Sequence, residues 1–484
     1  MTGLTSSYNA GSNLFDDPAL PNIATVMDVD RMAEHFTRLF RASGLAVEWE
    51  VAQCGIEKVY YRPGKHCGVL YRLTLRHSSG KEIDEWIFGR TVPHGTEDER
   101  FAAAVVGLKH FQAARDLLKF MPAISFWGDL NMILWLFPLD PKLETLPQVI
   151  DPAFVRQQVE ANLPLFGVSE SGPAAKPAAW SCGEIRYDRV KYMPGKRCVL
   201  RYHVNLISPS GTSHEKTFYC KIYQDERSRY HFDIVQSAYQ QLTAQTDAVN
   251  IPRPLLHFDG LHTYWQAEWP GNAVIEVMDK YDWQELFPRI ANVLATFHRH
   301  PANGFDTAPN LDAVLATADE DVAKLVSRLP HQQHFAAGVL ERLKVVKRTV
   351  LEKQEIPQVP IHGAWRLEQM LVRDHELALV DFDAVSIGDP LYDLAEFVAS
   401  LQFLELSRGW PRERLAAAAE TLCRSYAEQV PWPCDRRRVA WYALAFLMTK
   451  FYSTTKNLDR RALQQLDLAG KKICADWLKI LGTV

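Results

Sequence analysis

The chain has 484 residues, 47% of them hydrophobic and 23% charged, with a formal net charge of −4. That length exceeds what one core ordinarily serves and predicts two or more domains. The near-neutral balance argues against nucleic acid or an anionic membrane surface as partner, and no run of about 18 apolar residues offers a membrane span.

The first residues, MTGLTSSYNAGSNLFDDP, are polar and lack the basic and apolar regions of a signal peptide, which predicts a flexible tail over 1–29. The eight cysteines show no C-x-x-C pair and no zinc spacing. They are expected to be buried reduced thiols of a cytoplasmic protein.

Residues 59–92 align without a gap to residues 190–223, a constant offset of 131. Tyr61, Pro63, Gly64, Lys65, Cys67, Tyr71 and Gly80 recur as Tyr192, Pro194, Gly195, Lys196, Cys198, Tyr202 and Gly211, and Arg90 falls on Lys221. Each copy predicts three antiparallel strands joined by a Pro-Gly turn and a Ser-Gly turn. Residues 121–140 resemble 251–271 more loosely, and Pro138 and Asp140 in LFPLD read as part of a hinge-like portion. Any two hairpins share turn residues, but so long an ungapped register favours duplication over coincidence.

The small-residue and Pro-rich stretch 167–180 marks a linker. The expected domains are therefore a first β domain at 30–165, a linker at 166–180, a second β domain at 181–272 and a helical region at 273–484. Apolar residues at three- and four-residue spacing predict helices in 283–300, 336–354, 391–406, 412–430, 436–455 and 461–481.

The chemistry concentrates in 361–401, IHGAWRLEQMLVRDHELALVDFDAVSIGDPLYDLAEFVASL. His362-Gly363, Asp381-Phe382-Asp383 and Gly388-Asp389-Pro390 with Asp393-Leu394 occur in that order. This segment resembles the catalytic segment of the aminoglycoside phosphotransferase and choline kinase families, whose pattern is H-G-D-x-x-x-x-N, a strand, I-D-[WF]-[DE], then G-D-P-x-x-D-L. Residues 265–271 and 292–300 resemble the hinge strand and the following helix of such enzymes. The resemblance covers about 180–484. It implies an α+β, protein-kinase-like two-lobed fold, with an antiparallel β N-lobe and a helical C-lobe. The first β domain is then a second, degenerate N-lobe-like domain in front.

The same resemblance implies ATP and Mg2+ as cofactors and a small-molecule hydroxyl as acceptor. Phosphoryl transfer requires positioned phosphates and neutralised charge, and magnesium requires hard oxygen ligands. Asp381, closing an apolar strand, is the expected metal ligand, with Gln369 as the second. Lys221, charged within a strand of otherwise apolar pattern, meets either nucleotide phosphates or solvent at an edge. Its carboxylate partner is not evident; Glu226, Asp233 and Gln236 are the candidates. Lys196 lies in a turn that either covers phosphates or simply closes a hairpin. Glu268 belongs to the hinge-like segment. His362 is expected to organise the loop, and Asp389 and Asp393 to hold it and start the next helix.

The pattern breaks at the loop's third residue, where the family's aspartate is replaced by Ala364. Gln369 stands for the expected asparagine and still offers a carbonyl oxygen. Loss of the base removes about 10²–10⁴-fold in rate. Asp383 or Glu368 is left as a substitute that would have to reach the acceptor, Asp383 doing so from the face of Asp381 only if the strand continues. Two readings follow: an ATP-dependent phosphotransferase, or a catalytically weak or inactive kinase-like protein that binds a nucleotide or a partner.

Overall fold

The computed structural model describes residues 17–42, 49–107, 124–168, 180–243, 249–300 and 305–482. Most of the expected tail (1–16) and of the expected linker (169–179) lies outside them. The chain divides into two compact units, Met1–Arg229 with Leu255–Gln266, and Tyr230–Pro254 with Ala267–Val484.

The first unit holds two five-stranded sheets. The first contains β1 (Trp49–Arg62), β2 (His66–His77), β3 (Glu82–Thr91), β4 (Ile124–Trp127) and β5 (Met132–Leu136), in the order β1-β2-β3-β5-β4. The second contains β6 (Ser181–Met193), β7 (Arg197–Ile207), β8 (Ser213–Tyr223), β9 (Pro254–Phe258) and β10 (Thr263–Ala267), in the order β6-β7-β8-β10-β9. The Pro-Gly turns close as expected, because Gly64 (φ +63°) and Gly195 (φ +71°) supply the left-handed residue each turn needs. In both copies the first long strand is bulged, between Ile56 and Lys58 and between Arg189 and Lys191.

The likeness of the copies extends upstream of the aligned strands. Asp17 accepts the Tyr61 hydroxyl at 2.9 Å and the Gly64 amide at 2.8 Å. Asp140 accepts the Tyr192 hydroxyl at 2.8 Å and the Gly195 amide at 2.6 Å. The Tyr71 hydroxyl donates to the Val26 carbonyl, and the Tyr202 hydroxyl to the Val149 carbonyl, at 2.6 and 2.7 Å. Asp140 is therefore the anchor of the second sheet's turn. Residues 17–29 are packed rather than a tail: Leu20, Ile23 and Val26 are fully buried.

Bonds between the two sheets explain why both fall in one unit. The Trp135 indole donates to the Tyr192 hydroxyl at 3.3 Å. The Arg189 guanidinium lies 5.4 Å from the ring centres of both Trp86 and Phe137, and 3.4 Å from Glu85.

The second unit is mainly helical and has one large apolar core built from Phe287, Leu294, Phe397, Trp441 and their neighbours. Four of its long helices start where side-chain caps accept first-turn amides. Asp282 precedes Trp283–His298, Asn310 precedes Leu311–Arg328, Asp389 precedes Pro390–Arg408 and Asp435 precedes Arg436–Asn457. The Asp389-Pro390 pair places proline at the first helical position, where its missing amide proton costs nothing. The α+β class expected from sequence is the one observed. No helix among the described residues is long and apolar enough to cross a membrane. All eight cysteines are free, five of them buried.

Candidate functional site

A short hairpin sets up the centre of the second unit. Strand Met370–Arg373 pairs antiparallel with Glu376–Leu379, and the two-residue turn between them has positive φ at Asp374 (48°) and His375 (79°). The Gln369 carbonyl accepts the Val380 amide at 3.0 Å, so the ladder runs one step past the strands. Gln369 and Asp381 then face each other, with the Gln369 amide 3.3 Å from Asp381 Oδ2.

The strand does not continue through Asp383. Asp381 turns left-handed (φ 68°, ψ 59°) and a 3-10 turn covers Phe382–Ala384. The two-residue alternation that would have put Asp383 on the face of Asp381 therefore does not apply. Asp383 instead lies 4.0 Å from His231 Nδ1.

The loop before the hairpin is held by Asp393. Its carboxylate accepts the amides of His362 at 2.6 Å and Gly363 at 2.9 Å, and lies 3.1 Å from His298 Nε2. His298 Nδ1 is in turn 2.7 Å from the Tyr426 hydroxyl. Gly363 is required here: its φ is +71°, and a Cβ would sit 2.2 Å from the Ala384 carbonyl oxygen.

His362 is fully buried among the rings of Phe297, Trp365 and Phe382. Its Nε2 donates to the Val380 carbonyl at 3.1 Å, tying the loop to the strand end that precedes Asp381. Burial holds the imidazole below its ordinary pKa, with Asp393 and Asp381 opposing. A neutral, enclosed ring of this kind positions backbone rather than exchanging protons with solvent.

Asp389 caps the helix that begins at Pro390 and pairs with buried Arg438 at 2.5 Å; Arg438 also donates to Gln354 at 2.9 Å. Ala364 is half-buried and carries no polar atom, and Glu368 is exposed. Glu268 follows β10 in the second unit and is half-buried.

In the first unit Lys221 sits on β8 opposite Val199, with its ammonium 5.8 Å from the Tyr264 ring centre. Lys196 is exposed at the Gly195 turn, and its carbonyl accepts the Gln224 amide at 3.2 Å. The three candidate partners of Lys221 are exposed: Glu226 precedes the helix Arg227–Thr243, and Asp233 and Gln236 lie on it.

Two residues escaped the reading by motif. His298 supports Asp393 from 95 residues away, and only its place in the 292–300 segment hinted at it. Glu396 follows Asp393 by one helical turn and lies 3.8 Å from Arg366 of the loop, its side chain 14% exposed. Burial raises its carboxyl to about 7, against the opposing pull of Lys450 and Arg366. The (i, i+3) spacing from Asp393 is the one signal the sequence carried for it.

Among the described residues no group of three or more His, Cys, Asp or Glu side chains is placed to hold a metal. The Asp381–Gln369 pair fits magnesium all the same: both side chains offer hard oxygens once the glutamine amide turns, and magnesium commonly takes one or two protein ligands with the rest from phosphate and water.

An antiparallel sheet with a strand lysine, then a helical unit with an Asp-anchored His-Gly loop and a hairpin-end Asp, defines the protein-kinase-like class. Within that class, residues 207–442 match the phosphotransferase enzyme family (APH), the family the catalytic segment resembles. No curated protein matches the chain. Solved structures similar to it include an aminoglycoside phosphotransferase from Streptomyces rimosus, at 19% identity over 56% of this chain and 93% of that one, with TM-score 0.37. A thermostable mutant of another aminoglycoside phosphotransferase, in ternary complex with ADP and hygromycin B, matches at 16% identity over 68% and 100%, with TM-score 0.41. The choline kinase of Cryptosporidium parvum matches at 11% identity over 68% and 98%, with TM-score 0.44.

Proposed function

We propose that the chain is an ATP-binding phosphotransferase that passes the terminal phosphoryl group to a hydroxyl of a small molecule, slowly. The observation that carries this reading is the Asp393-anchored loop set against the Gln369–Asp381 pair 3.3 Å apart. The family match over 207–442 supports it. The free cysteines fit a reducing, cytoplasmic setting.

In this reading Asp381 and Gln369 hold magnesium, which when bound neutralises phosphate charge. Lys221 and Lys196 supply positive charge to the phosphates, and Glu268 belongs to the nucleotide's hinge segment. His362 keeps the loop in register through the Val380 carbonyl. The acceptor oxygen forms its bond to phosphorus as the bond to ADP breaks, and the hydroxyl proton passes to water or to an oxygen of the transferred phosphoryl group. Ala364 cannot receive it. Because positioning and charge neutralisation carry most of such a transfer, turnover persists at about 10²–10⁴-fold below that of a site with a base.

The second reading, a nucleotide-binding protein without turnover, is favoured by Ala364 alone. Mg-ATP should raise the melting temperature of the wild-type chain, and Asp381→Ala should abolish that shift. Ala364→Asp should raise transfer or ATP hydrolysis at least tenfold. Absence of any Mg-ATP shift would sink both readings. A shift without turnover in either the wild type or Ala364→Asp would leave the second standing.

A further inference from the structure

The first sheet of the N-terminal unit carries a concentration of positive charge that the proposed phosphoryl transfer does not use. In register, Arg62 pairs with His66, Tyr60 with Gly68, and Gly68 with Arg90. Directly paired residues and those two positions along share a face. One face of this sheet therefore presents Arg62, His66 and Arg90 together with Tyr60 and Phe88.

Arg90 is half-buried, its guanidinium 5.7 Å from the Phe88 ring centre and 5.4 Å from that of Trp135. Its Nε is buried without a hydrogen-bond partner among the described residues, as is the Tyr60 hydroxyl. Burial lowers the Arg90 guanidinium below its ordinary value, Arg100 and Arg62 press the same way, and Asp140 opposes them. Asp140 is already committed to the Gly195 amide, the Tyr192 hydroxyl and the Lys142 amide. Burial, then Arg90, Arg62, Arg100 and Lys65, press the His66 imidazole down to about 4.

Like charges gathered on a partly desolvated face cost free energy unless an anion joins them. An arginine with an unfilled donor suits the oxygens of a phosphate group, and the half-buried Tyr60 ring beside it can contact an organic substituent. Lys65, His66 and Arg90 also occupy the positions that Lys196, Arg197 and Lys221 hold in the second sheet.

We propose that the face formed by Arg62, His66 and Arg90, with the charges of Lys65 and Arg100 acting on it, binds a phosphate-bearing small molecule, making the N-terminal sheet a second ligand site.

The test is calorimetric titration of the full chain without magnesium, in a Lys221→Ala background that weakens the nucleotide site of the second sheet. Inorganic pyrophosphate and ADP are the two probes. Arg62 is exposed and Arg100 half-buried, so Arg62→Gln with Arg100→Gln should leave the fold intact, as checked by circular dichroism. The expected result is binding in the Lys221→Ala background that weakens at least tenfold when both arginines are replaced. Equal affinity for the two probes identifies a bare phosphate group as the recognised element; tighter binding of ADP assigns part of it to the aromatic side chains. No binding of either probe in the Lys221→Ala background, or binding unaffected by the arginine replacements, would overturn the proposal.

Discussion

Asp140 Oδ2 accepts the Gly195 amide at 2.6 Å, fastening the Pro-Gly turn of the second sheet to a residue 55 positions earlier. Asp17 fastens the Gly64 turn of the first sheet in the same way at 2.8 Å. Each aspartate also receives a tyrosine hydroxyl, so each turn is held by a carboxylate with two donors on one oxygen. Such charge-assisted bonds are stronger than neutral ones, and a donor left unmet in a buried place is costly.

Asp140→Ala should therefore lower the stability of the first unit by about 2–3 kcal/mol, the scale of a buried charged hydrogen bond and its orphaned donors. Asp140→Asn should recover part of that loss, since one side-chain oxygen can still meet Gly195 and Tyr192. Denaturant titration monitors both. Equal losses for the two variants would show that charge, rather than acceptance, is what the turn requires.

Two glycines with similar φ should respond unequally to alanine. Gly363 (φ +71°) has the Ala384 carbonyl 2.2 Å from where a Cβ would stand, whereas Gly64 (φ +63°) has nothing within 4 Å. Gly64→Ala should cost about 1 kcal/mol, for the backbone conformation alone. Gly363→Ala must also displace the turn that follows Asp381, for a loss of about 2–3 kcal/mol, and it should abolish the Mg-ATP thermal shift. Retention of that shift in Gly363→Ala would separate the loop from nucleotide binding.

Glu396 provides a pH dependence with a definite sign. Its folded carboxyl is raised from 4.5 to about 7, chiefly by burial. Between those values the folded state binds more proton than the unfolded state, so this group's contribution to stability falls as pH rises through that window. Glu396→Gln removes the titration, and its melting temperature should fall less than that of the wild type between about pH 5 and pH 7. An identical fall in both proteins would show that Glu396 is not the responsible group.

Much of the arrangement was legible because it is local. The turn glycines, the alternating strands and the Asp-Pro helix start depend on neighbours a few residues apart, which spacing exposes. The upstream part of the repeat was missed although its residues, Asp17-Pro18 with Leu20 and Asp140-Pro141 with Leu143, stand in the chain at matching spacing. Their offset is 123 rather than 131, so an ungapped comparison passes over them. The expected alternation from Asp381 to Asp383 failed for a physical reason: Asp381 adopts a left-handed conformation, which ends the strand and restarts the geometry.

The sequence by itself determined the order of the motif blocks in 361–401, the doubled strand pattern and the absence of a side-chain oxygen at Ala364, since residue type and local period are written in it. Only the tertiary structure decided that Asp140 serves the second sheet, that the His362 ring is sealed among aromatic side chains, and that Arg62, His66 and Arg90 share one face. Those facts depend on which distant segments meet and how much water they exclude. Hydrogen bonding, burial and proton affinity are properties of that meeting, and spacing along the chain does not contain them.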